Sequence, residues 1–231
     1  MTPIEPIIWE SAPSPRHTII WLHGLGADGS DFVPVAQAMQ LPVAVRYIFP
    51  HAPHRPITIN GGYVMRGWYD ILSADFSARL ETGNAGLTDV DGIRASQAVV
   101  EELIAQEKQR GIAAKNIFLA GFSQGGAIIL YAGLRHAEPL GGLIALSTYL
   151  PLADRTAAEI HATPPVFIGH GREDTIIPSA AGKRSAKTLA ELGCAVEWHD
   201  YPMPHSVCME ELRDLQDWLI RRTTISTLQA G

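Results

Sequence analysis

The stretch NIFLAGFSQGGAIIL, residues 116–130, places a serine between an apolar β-branched run and an apolar helical run. Gly121 and Gly125 flank Ser123 in the pattern G-x-S-x-G. Between a strand and a helix, this pattern is typical of a nucleophile elbow, in which glycines relieve the crowding of a sharp turn and the serine hydroxyl stands above the sheet. This stretch of sequence predicts a strand followed directly by a helix, which is the repeating unit of α/β folds.

The same alternation of short apolar runs and longer helical stretches extends over most of the chain. Strands are predicted at residues 4–9, 18–22, 43–49, 116–120, 142–146, 165–169 and 195–201. Helices are predicted at residues 31–39, 88–109, 123–134, 179–192 and 207–221, with Thr88 as the N-cap of the second. The alternation predicts an α/β fold with a mostly parallel central sheet and helices on both faces.

The 231 residues predict a single domain, 1–231, and 46% hydrophobic against 18% charged residues fit a folded globular protein. The segment at about residues 50–86 departs from the alternation, because it is rich in proline, glycine and aromatic residues and has little periodicity. A long irregular stretch in a compact domain is usually functional, so we expect a lid or substrate loop here. The last residues, 222–231, are expected to fray.

Charge and composition disfavour several classes of function. A net charge of −6 argues against nucleic-acid binding, which needs a basic surface. The N-terminus lacks the features of a signal peptide, no apolar run is long enough for a membrane span, and the ends carry no lipidation motif. We therefore expect a cytoplasmic protein without a stable membrane anchor, in which Cys194 and Cys208 are reduced thiols. The sequence leaves a homodimer open.

A serine hydroxyl becomes a good nucleophile when a base takes its proton. With an elbow of this kind, the acid and then the histidine follow later in the chain. Asp174 follows the predicted strand 165–169 and His205 follows the strand 195–201, so both come after the carboxyl ends of strands, where α/β sheets place their sites. We therefore predict a triad of Ser123, Asp174 and His205.

Other residues of the same types have simpler interpretations. Glu173 is expected to be solvated, His199 to cap its strand or face solvent, and His170 to be a hydrogen-bonded structural histidine. His51 and His54 stand close together in the run HAPH, but no third ligand is near in sequence, so no metal site is predicted.

The run HGLGADGSDF, residues 23–32, contains three glycines in the G-x-G-x-x-G pattern of dinucleotide-binding folds. That motif needs an acidic residue about 20 residues later to hold the ribose, and none occurs between Asp31 and Asp70. A loop of this kind can instead supply a backbone N–H to an oxyanion hole, together with the N–H that follows the nucleophile. We expect these donors to be the backbones of Leu25 and Gln124, and we expect no cofactor.

Together these blocks resemble the phospholipase/carboxylesterase family of α/β-hydrolases, which includes acyl-protein thioesterases and small bacterial carboxylesterases. The resemblance extends over nearly the whole chain, from WLHGLGADG through RGWYD and GFSQGG to GREDTIIP and YPMPHSV. It implies an α/β-hydrolase fold, the same triad and an oxyanion N–H on Leu25. The block RGWYD resembles the family's loop over the acyl pocket, which implies substrate-binding roles for Trp68 and Leu72.

The resulting hypothesis is a serine hydrolase that cleaves carboxylic esters or thioesters through an acyl-enzyme, without a metal or cofactor. Short- to medium-chain acyl esters, acyl-protein thioesters and lysophospholipids all stay open as substrates. The alternative is a non-catalytic protein of the same fold that binds a ligand or a partner. The presence of all three triad residue types in the expected order speaks against this alternative.

Overall fold

A computed structural model describes residues 5–83 and 88–228 of the chain. Its strands, in chain order, are β1 (Ile7–Glu10), β2 (His17–Leu22), β3 (Val45–Phe49), β4 (His54–Ile57), β5 (Tyr63–Arg66), β6 (Ile117–Phe122), β7 (Gly142–Leu146), β8 (Val166–Gly171) and β9 (Val196–Tyr201). The main sheet has the order β1-β3-β2-β6-β7-β8-β9, and β4 and β5 form a separate hairpin. Strand β1 is antiparallel to β3, and the other neighbours in the main sheet run parallel.

The helices are α1 (Val33–Ala38), α2 (Phe76–Thr82), α3 (Val90–Gln109), α4 (Gln124–Arg135), α5 (Ala153–Glu159), α6 (Ser179–Glu191) and α7 (Met209–Leu228). They enclose two apolar layers, because successive residues of a strand point to opposite faces of the sheet. In β2, Ile20 and Leu22 join the layer of α3, α4 and α6, whereas Ile19 and Trp21 join the layer of α1 and α7. Helices on both faces of a mostly parallel sheet confirm the predicted fold class.

The seven strands predicted for the sheet are all present, and their ends differ from the prediction by at most three residues. Residue 4, the predicted start of the first strand, lies outside the described residues. The N-cap of α3 is Asp89 and not Thr88, because the Asp89 carboxylate accepts a hydrogen bond from Gly92 N–H at 2.9 Å. Helix α7 continues through Leu228 where fraying was expected, since neither proline nor glycine interrupts it.

The irregular segment predicted at about residues 50–86 contains regular structure, so this expectation was wrong in part. The hairpin β4–β5 and helix α2 lie within it, and the Asp70 carboxylate accepts a hydrogen bond from Thr58 N–H at 2.7 Å just after β4. These elements are four to seven residues long, which is too short for a periodic signal in the sequence. Residues 84–87 lie outside the described ranges.

Over the described ranges, no helix has both the length and the apolar character that crossing a bilayer requires. The two 20-residue helices, α3 and α7, are each charged on part of their surface.

Helix α7 begins with a carboxyl group that is shielded from solvent. Glu211 is fully buried in the first turn, and its Oε1 is so close to β8 that a Cβ on Gly169 would lie 2.1 Å from it. Burial raises the pKa of Glu211 to about 8; the nearby Cys208 backbone lowers it by a smaller amount, and the charge of Asp214 raises it slightly. The neutral acid is therefore the form that this packing favours.

We expect Glu211→Gln to remove a pH dependence of stability. Because folding raises the pKa of Glu211 from its ordinary value of 4.5 to about 8, its contribution to stability is complete below the lower value and is lost as the pH rises through the higher one. The amide stays neutral, so the variant should become more stable relative to the wild type across this window, by at most about 1.4 kcal/mol per pH unit. Urea unfolding at a series of pH values measures the difference.

The control for this experiment is Glu210→Gln, which removes the same charge from the exposed neighbouring position. Its unfolding free energy should follow that of the wild type over the same pH series. A Glu211→Gln variant that also follows the wild type would contradict the expectation.

Candidate active site

Ser123 lies at the sharp turn between β6 and α4, with backbone angles φ 54° and ψ −119°. A positive φ is uncommon for a residue with a side chain, and here the surrounding packing maintains it. A Cβ on Gly121 would lie 2.5 Å from the backbone of Gly125, and a Cβ on Gly125 would lie 2.5 Å from the carbonyl oxygen of Leu22. Both glycines of the G-x-S-x-G pattern are therefore required by the close approach of backbone segments.

The structure brings Ser123, His205 and Asp174 together at the carboxyl edge of the sheet. His205 Nε2 lies 2.9 Å from Ser123 Oγ, and His205 Nδ1 lies 2.7 Å from Asp174 Oδ2. Since a carboxylate oxygen accepts, Nδ1 carries the proton and Nε2 is left to accept the serine hydroxyl. The ring of Phe122 packs against the imidazole at a centroid distance of 4.7 Å. The arrangement can pass the serine proton to a base whose orientation is fixed.

The turn that follows β8 holds the acid. Asp174 is buried, and its Oδ1 accepts hydrogen bonds from the N–H groups of Ile176 and Ile177 at 2.9 and 2.8 Å. These two bonds leave Oδ2 for the imidazole. Glu173, its neighbour, is exposed, and the His199 ring contacts Glu197 on β9, so neither of these residues competes for the role.

Gly171, the last residue of β8, lets the acid loop and the histidine loop approach each other. A Cβ at Gly171 would lie 2.3 Å from the carbonyl oxygen of Met203 and 2.4 Å from that of Pro204. The Glu173 N–H also donates to the Met203 carbonyl at 3.1 Å. The position of His205 relative to Asp174 therefore depends on a direct contact between two backbones.

The predicted oxyanion donors are the backbone N–H groups of Leu25 and Gln124. Gln124 is the first residue of α4, so its N–H has no partner within the helix, and Leu25 lies in the turn after β2. Across the described residues, neither N–H makes a hydrogen bond. A Cβ on Gly24 would lie 3.5 Å from the Cβ of Ser123, so the glycine loop borders the elbow. Both donors are thus near the serine, at the positive end of the α4 dipole.

Two histidines hold the glycine loop by hydrogen bonds. The His23 Nδ1–H donates to the Gly24 carbonyl at 2.7 Å, and its Nε2 accepts from Ala52 N–H at 3.0 Å. Burial lowers the pKa of His23 to about 4, so the ring is neutral, as these two roles require. His51 Nδ1 accepts from Gly29 N–H at 3.0 Å. Within the described ranges, no group of His, Cys, Asp and Glu side chains is arranged to hold a metal ion.

Trp68, which was expected to contact the acyl group, is not in the wall of the cavity that Leu72 lines. Its side chain is fully buried, and its Nε1–H donates to the His23 carbonyl at 2.9 Å. The side-chain amide of Gln124 accepts from Trp68 N–H and donates to the Tyr69 carbonyl, both at 2.7 Å. Trp68 therefore connects the segment after β5 to the glycine loop and the elbow.

A cavity of about 460 Å³ lies between helices α2 and α6, and Leu72, predicted to bind substrate, lines it. The other apolar residues of its wall include Phe76, Leu80, Leu150 and Leu152. Ser123 is not part of this wall. Thr148, the residue before the wall residue Tyr149, donates its hydroxyl to the Ser123 carbonyl at 2.6 Å, so one segment of chain contacts both the elbow and the cavity.

Two tyrosines form a polar pair in the wall of the cavity. The hydroxyls of Tyr69 and Tyr149 lie 2.7 Å apart and share a hydrogen bond. Burial raises the pKa of Tyr149 to about 12 and raises that of Tyr69 well above its usual value, so both are neutral. The ring of Phe76 meets Tyr149 edge-on at a centroid distance of 5.7 Å. The tyrosine pair and the Phe76 ring therefore carry no charge.

Known proteins are similar to this chain in sequence and in fold. A model of the Phospholipase/Carboxylesterase family matches residues 5–222. The chain belongs to this family. Acyl-protein thioesterase 1 of Gibberella zeae is 38% identical over 227 residues, with 94% of each chain covered. Acyl-protein thioesterase 1 of Neurospora crassa is 40% identical over 218 residues, which cover 90% of this chain and 88% of that protein.

Among solved structures, Arabidopsis thaliana SOBER1 superposes with a TM-score of 0.82 at 29% identity, covering 90% of this chain and 99% of SOBER1. The comparisons confirm the predicted phospholipase/carboxylesterase resemblance and the predicted chemistry: the protein is a hydrolase of carboxylic esters or thioesters. The individual roles of Ser123, Asp174, His205, Leu25 and Gln124 stay predictions, with the geometry given above.

The other residues that form the cavity wall with Leu72 were not predicted from the sequence. Tyr69 and Tyr149 are 80 positions apart and each stands in an apolar context that also fits ordinary core packing. The side chain of Gln124 was missed as well, because its two backbone partners belong to a segment without regular structure. No local pattern marks such residues, since their roles depend on contacts across the fold.

We expect Gly171→Ala to reduce ester hydrolysis by about a hundredfold. The added methyl would lie 2.3 Å from the Met203 carbonyl, so the histidine loop must move, and a displacement of about 1 Å in catalytic groups costs on that scale. The strain should also lower the unfolding free energy by about 1–3 kcal/mol. Initial rates on a p-nitrophenyl ester and thermal unfolding measure the two effects.

Gly61→Ala is the control, because a Cβ there meets no atom within 4 Å and only the left-handed backbone at φ 64° opposes it. It should lose a little stability and keep its turnover. Equal turnover of Gly171→Ala and wild type would show that the loop contact does not set the geometry of the site.

Proposed function

We propose that the protein is a serine hydrolase in which Ser123 attacks an ester or thioester carbonyl and forms an acyl-enzyme. The observation that carries this proposal is the continuous hydrogen-bonded chain from Ser123 Oγ through His205 to Asp174, with distances of 2.9 and 2.7 Å. We assign the oxyanion donors to the N–H groups of Gln124, the residue after Ser123, and of Leu25, in the glycine loop that borders the elbow. A nucleophile, a base, an acid and two oxyanion donors are the groups that acyl transfer requires.

In the first step, Ser123 Oγ attacks the carbonyl carbon while His205 Nε2 takes its proton. The bond from Nδ1–H to Asp174 stabilises the imidazolium and keeps the ring in place. Negative charge develops on the carbonyl oxygen, where Leu25 N–H and Gln124 N–H donate to it, and one such preorganised donor contributes about 3–4 kcal/mol. The intermediate collapses as His205 returns the proton to the leaving alcohol or thiol.

In the second step, water takes the place of the leaving group and His205 Nε2 takes a proton from it. The resulting hydroxide attacks the acyl carbonyl, and the same N–H groups bind the second oxyanion. The bond to Ser123 Oγ then breaks, and Oγ receives the proton from His205, which releases a carboxylic acid and the free enzyme. Since His205 carries each proton in turn, the mechanism assigns no step to a metal or cofactor.

We assign the acyl chain to the cavity between α2 and α6. Apolar side chains, among them Phe76, Leu80 and Leu150, contribute much of its wall, and its volume of about 460 Å³ is within the range of small-ligand pockets. Its wall residue Tyr149 directly follows Thr148, whose hydroxyl bonds the Ser123 carbonyl. Burial of each methylene in such a wall contributes about 0.8 kcal/mol, which favours acyl chains over an acetyl group. Leu72, at 36% exposure, stands at the rim, where a chain would enter.

The names of the relatives favour an S-acylated protein as the natural substrate, since both fungal proteins are acyl-protein thioesterases. Lysophospholipids and small esters present the same acyl carbonyl and are the competing substrates. The ratio of kcat/KM values for an S-acyl peptide, a lysophospholipid and an acyl ester of equal chain length decides among them.

A cytoplasmic location and a homodimer stay predictions, which cell fractionation and sedimentation velocity test.

Ser123→Ala should fold like the wild type and lose ester and thioester hydrolysis by a factor of about 10⁴ or more. A fluorophosphonate probe should label the wild type, and mass spectrometry should place the adduct on Ser123. His205→Ala should abolish this labelling, because the hydroxyl then has no base. Wild-type turnover by Ser123→Ala would identify another nucleophile, and a folded wild type without adduct would favour the non-catalytic binding protein.

Leu72→Ala should lower kcat/KM about tenfold for an octanoyl ester and leave that for an acetyl ester nearly unchanged. The reason is that Leu72 contacts the part of the chain beyond the carbonyl, where lost apolar contact costs about 1–3 kcal/mol. Val99→Ala is the control, since Val99 is a comparably exposed apolar residue on α3 and does not line the cavity. An equal loss for both esters would place the acyl chain elsewhere.

A further inference from the structure

His170 is a buried histidine next to the acid that the mechanism above does not use. It lies on β8, four residues before Asp174, and its side chain is fully shielded from solvent. Its Nε2 lies 2.8 Å from the carbonyl oxygen of Ile177 and 3.6 Å from Asp174 Oδ2. A carbonyl oxygen accepts, so Nε2 carries a proton and donates it to Ile177.

The bond to Ile177 acts on the same turn that holds the acid. The N–H of Ile177 donates to Asp174 Oδ1 at 2.8 Å, while its carbonyl accepts from His170. Ile177 is therefore held from both sides, by the acid through its N–H and by His170 through its carbonyl. Because Oδ1 is fixed in this way, Oδ2 is directed at His205 Nδ1, 2.7 Å away.

The contacts of the other ring nitrogen, Nδ1, do not explain why a histidine stands at this position. Among the described residues, His170 Nδ1 has no hydrogen-bond partner, and a Cβ on Gly182 of α6 would lie 2.5 Å from it. The ring stacks on Trp198 at a centroid distance of 5.9 Å, which a phenylalanine would do equally well. The feature that distinguishes histidine at this position is the single donor at Nε2.

The surroundings also require His170 to be neutral. Burial lowers its pKa, and the charged or titratable groups that act on it are Asp174, His205 and Lys183. A second proton would have no acceptor on the Gly182 side, and a cation 3.6 Å from Asp174 Oδ2 would compete with His205 for that oxygen. A neutral donor can hold the turn without drawing the carboxylate away from the base.

We propose that His170 is a positioning residue for the reaction, whose Nε2–H holds the Ile177 carbonyl and thereby fixes the turn that aims Asp174 at His205. The inference rests on the proposed roles of Ser123, Asp174 and His205. His170 touches no substrate, and it acts on the rate through the orientation of the acid.

The test compares three substitutions at this position. His170→Phe keeps a flat ring against Trp198 and removes the donor. His170→Gln places an amide N–H near the position of Nε2, whereas His170→Asn places one near Nδ1, too short to reach Ile177. Kinetics on an octanoyl ester are measured from acid to alkaline pH, and circular dichroism and thermal unfolding verify that each variant is folded.

We expect His170→Phe and His170→Asn to lower kcat by about ten- to a hundredfold with little change in KM. The acidic limb of the kcat/KM profile should move to lower pH, because the imidazolium of His205 loses part of the stabilisation by Asp174. His170→Gln should restore most of the rate and the position of the limb. If the phenylalanine variant does not fold, the comparison of asparagine with glutamine gives the same answer.

His17→Phe is the matched control, since His17 is also buried on a strand of the sheet and, within the described residues, neither of its ring nitrogens has a partner. It should leave both the rate and the pH profile unchanged. Wild-type kinetics of the folded His170→Phe and His170→Asn variants would overturn the proposal, as would a loss that glutamine does not restore and that leaves the acidic limb in place.

The same assays include Ser123→Ala, which distinguishes a failure of the proposed role of His170 from a failure of the proposed catalytic mechanism. If Ser123→Ala is inactive and His170→Phe keeps wild-type kinetics, only the proposed role of His170 is overturned. An active Ser123→Ala overturns the proposed catalytic mechanism and, with it, the assignment of His170.

Discussion

The close contact between the elbow and the end of β2 is the constraint on which the site depends. Gly125 approaches the carbonyls of Leu22 and His23 so closely that a Cβ would lie 2.5 and 2.6 Å from them. This contact sets the first turn of α4 against the glycine loop. No side chain fits into the contact, so the positive φ of Ser123 is maintained by backbone packing. The pairing of β6 with β2 therefore places the elbow beside the glycine loop.

The polar groups around this contact are held in the neutral state by burial, which suits a reaction that creates charge for a short time. His23 is neutral, with its pKa lowered to about 4, and the tyrosine pair of the cavity is neutral with raised pKa values. The Asp174 carboxylate is also buried, and its oxygens accept hydrogen bonds from two N–H donors and the His205 imidazole. In such surroundings, an oxyanion or an imidazolium interacts strongly with the few dipoles and charges aimed at it, because little water is present to screen them.

The sequence predicts the parts of the fold that have long or dense patterns, and it fails where the pattern is short. The inner strands β2, β6, β7 and β8 are mostly apolar runs because both of their faces are covered, and the elbow has a motif imposed by sterics. Helices α2 and α5 and the hairpin β4–β5 have four to seven residues each, so their periodicity is not detectable. The cap of α3 was placed one residue early because Thr88 and Asp89 are both good caps. Trp68 was expected in the acyl pocket because the block RGWYD resembles the family's loop over that pocket, although apolar residues there fit core packing nearly as well.

The groups around Ser123 and the cavity wall formed by α2 are held in place by different kinds of contact. This difference explains why the resemblance to a family predicts the reaction better than it predicts the substrate. The proposed catalytic groups are held by close contacts between backbones, at Gly121, Gly125 and Gly171, where an added Cβ would lie 2.3–2.5 Å from backbone atoms. The wall helix α2 packs on the core through the partly buried Phe76 and Leu80, and its hydrogen bonds to other elements are exposed. The Ser77 hydroxyl donates to the Ile176 carbonyl at 2.7 Å, and the Arg184 guanidinium donates to the Glu81 carbonyl at 2.8 Å. Exposed bonds of this kind contribute little to stability, so the sequence and position of α2 can change at small cost to the rest of the fold. Such a wall can be altered to fit another acyl chain while the groups that carry the reaction keep their places.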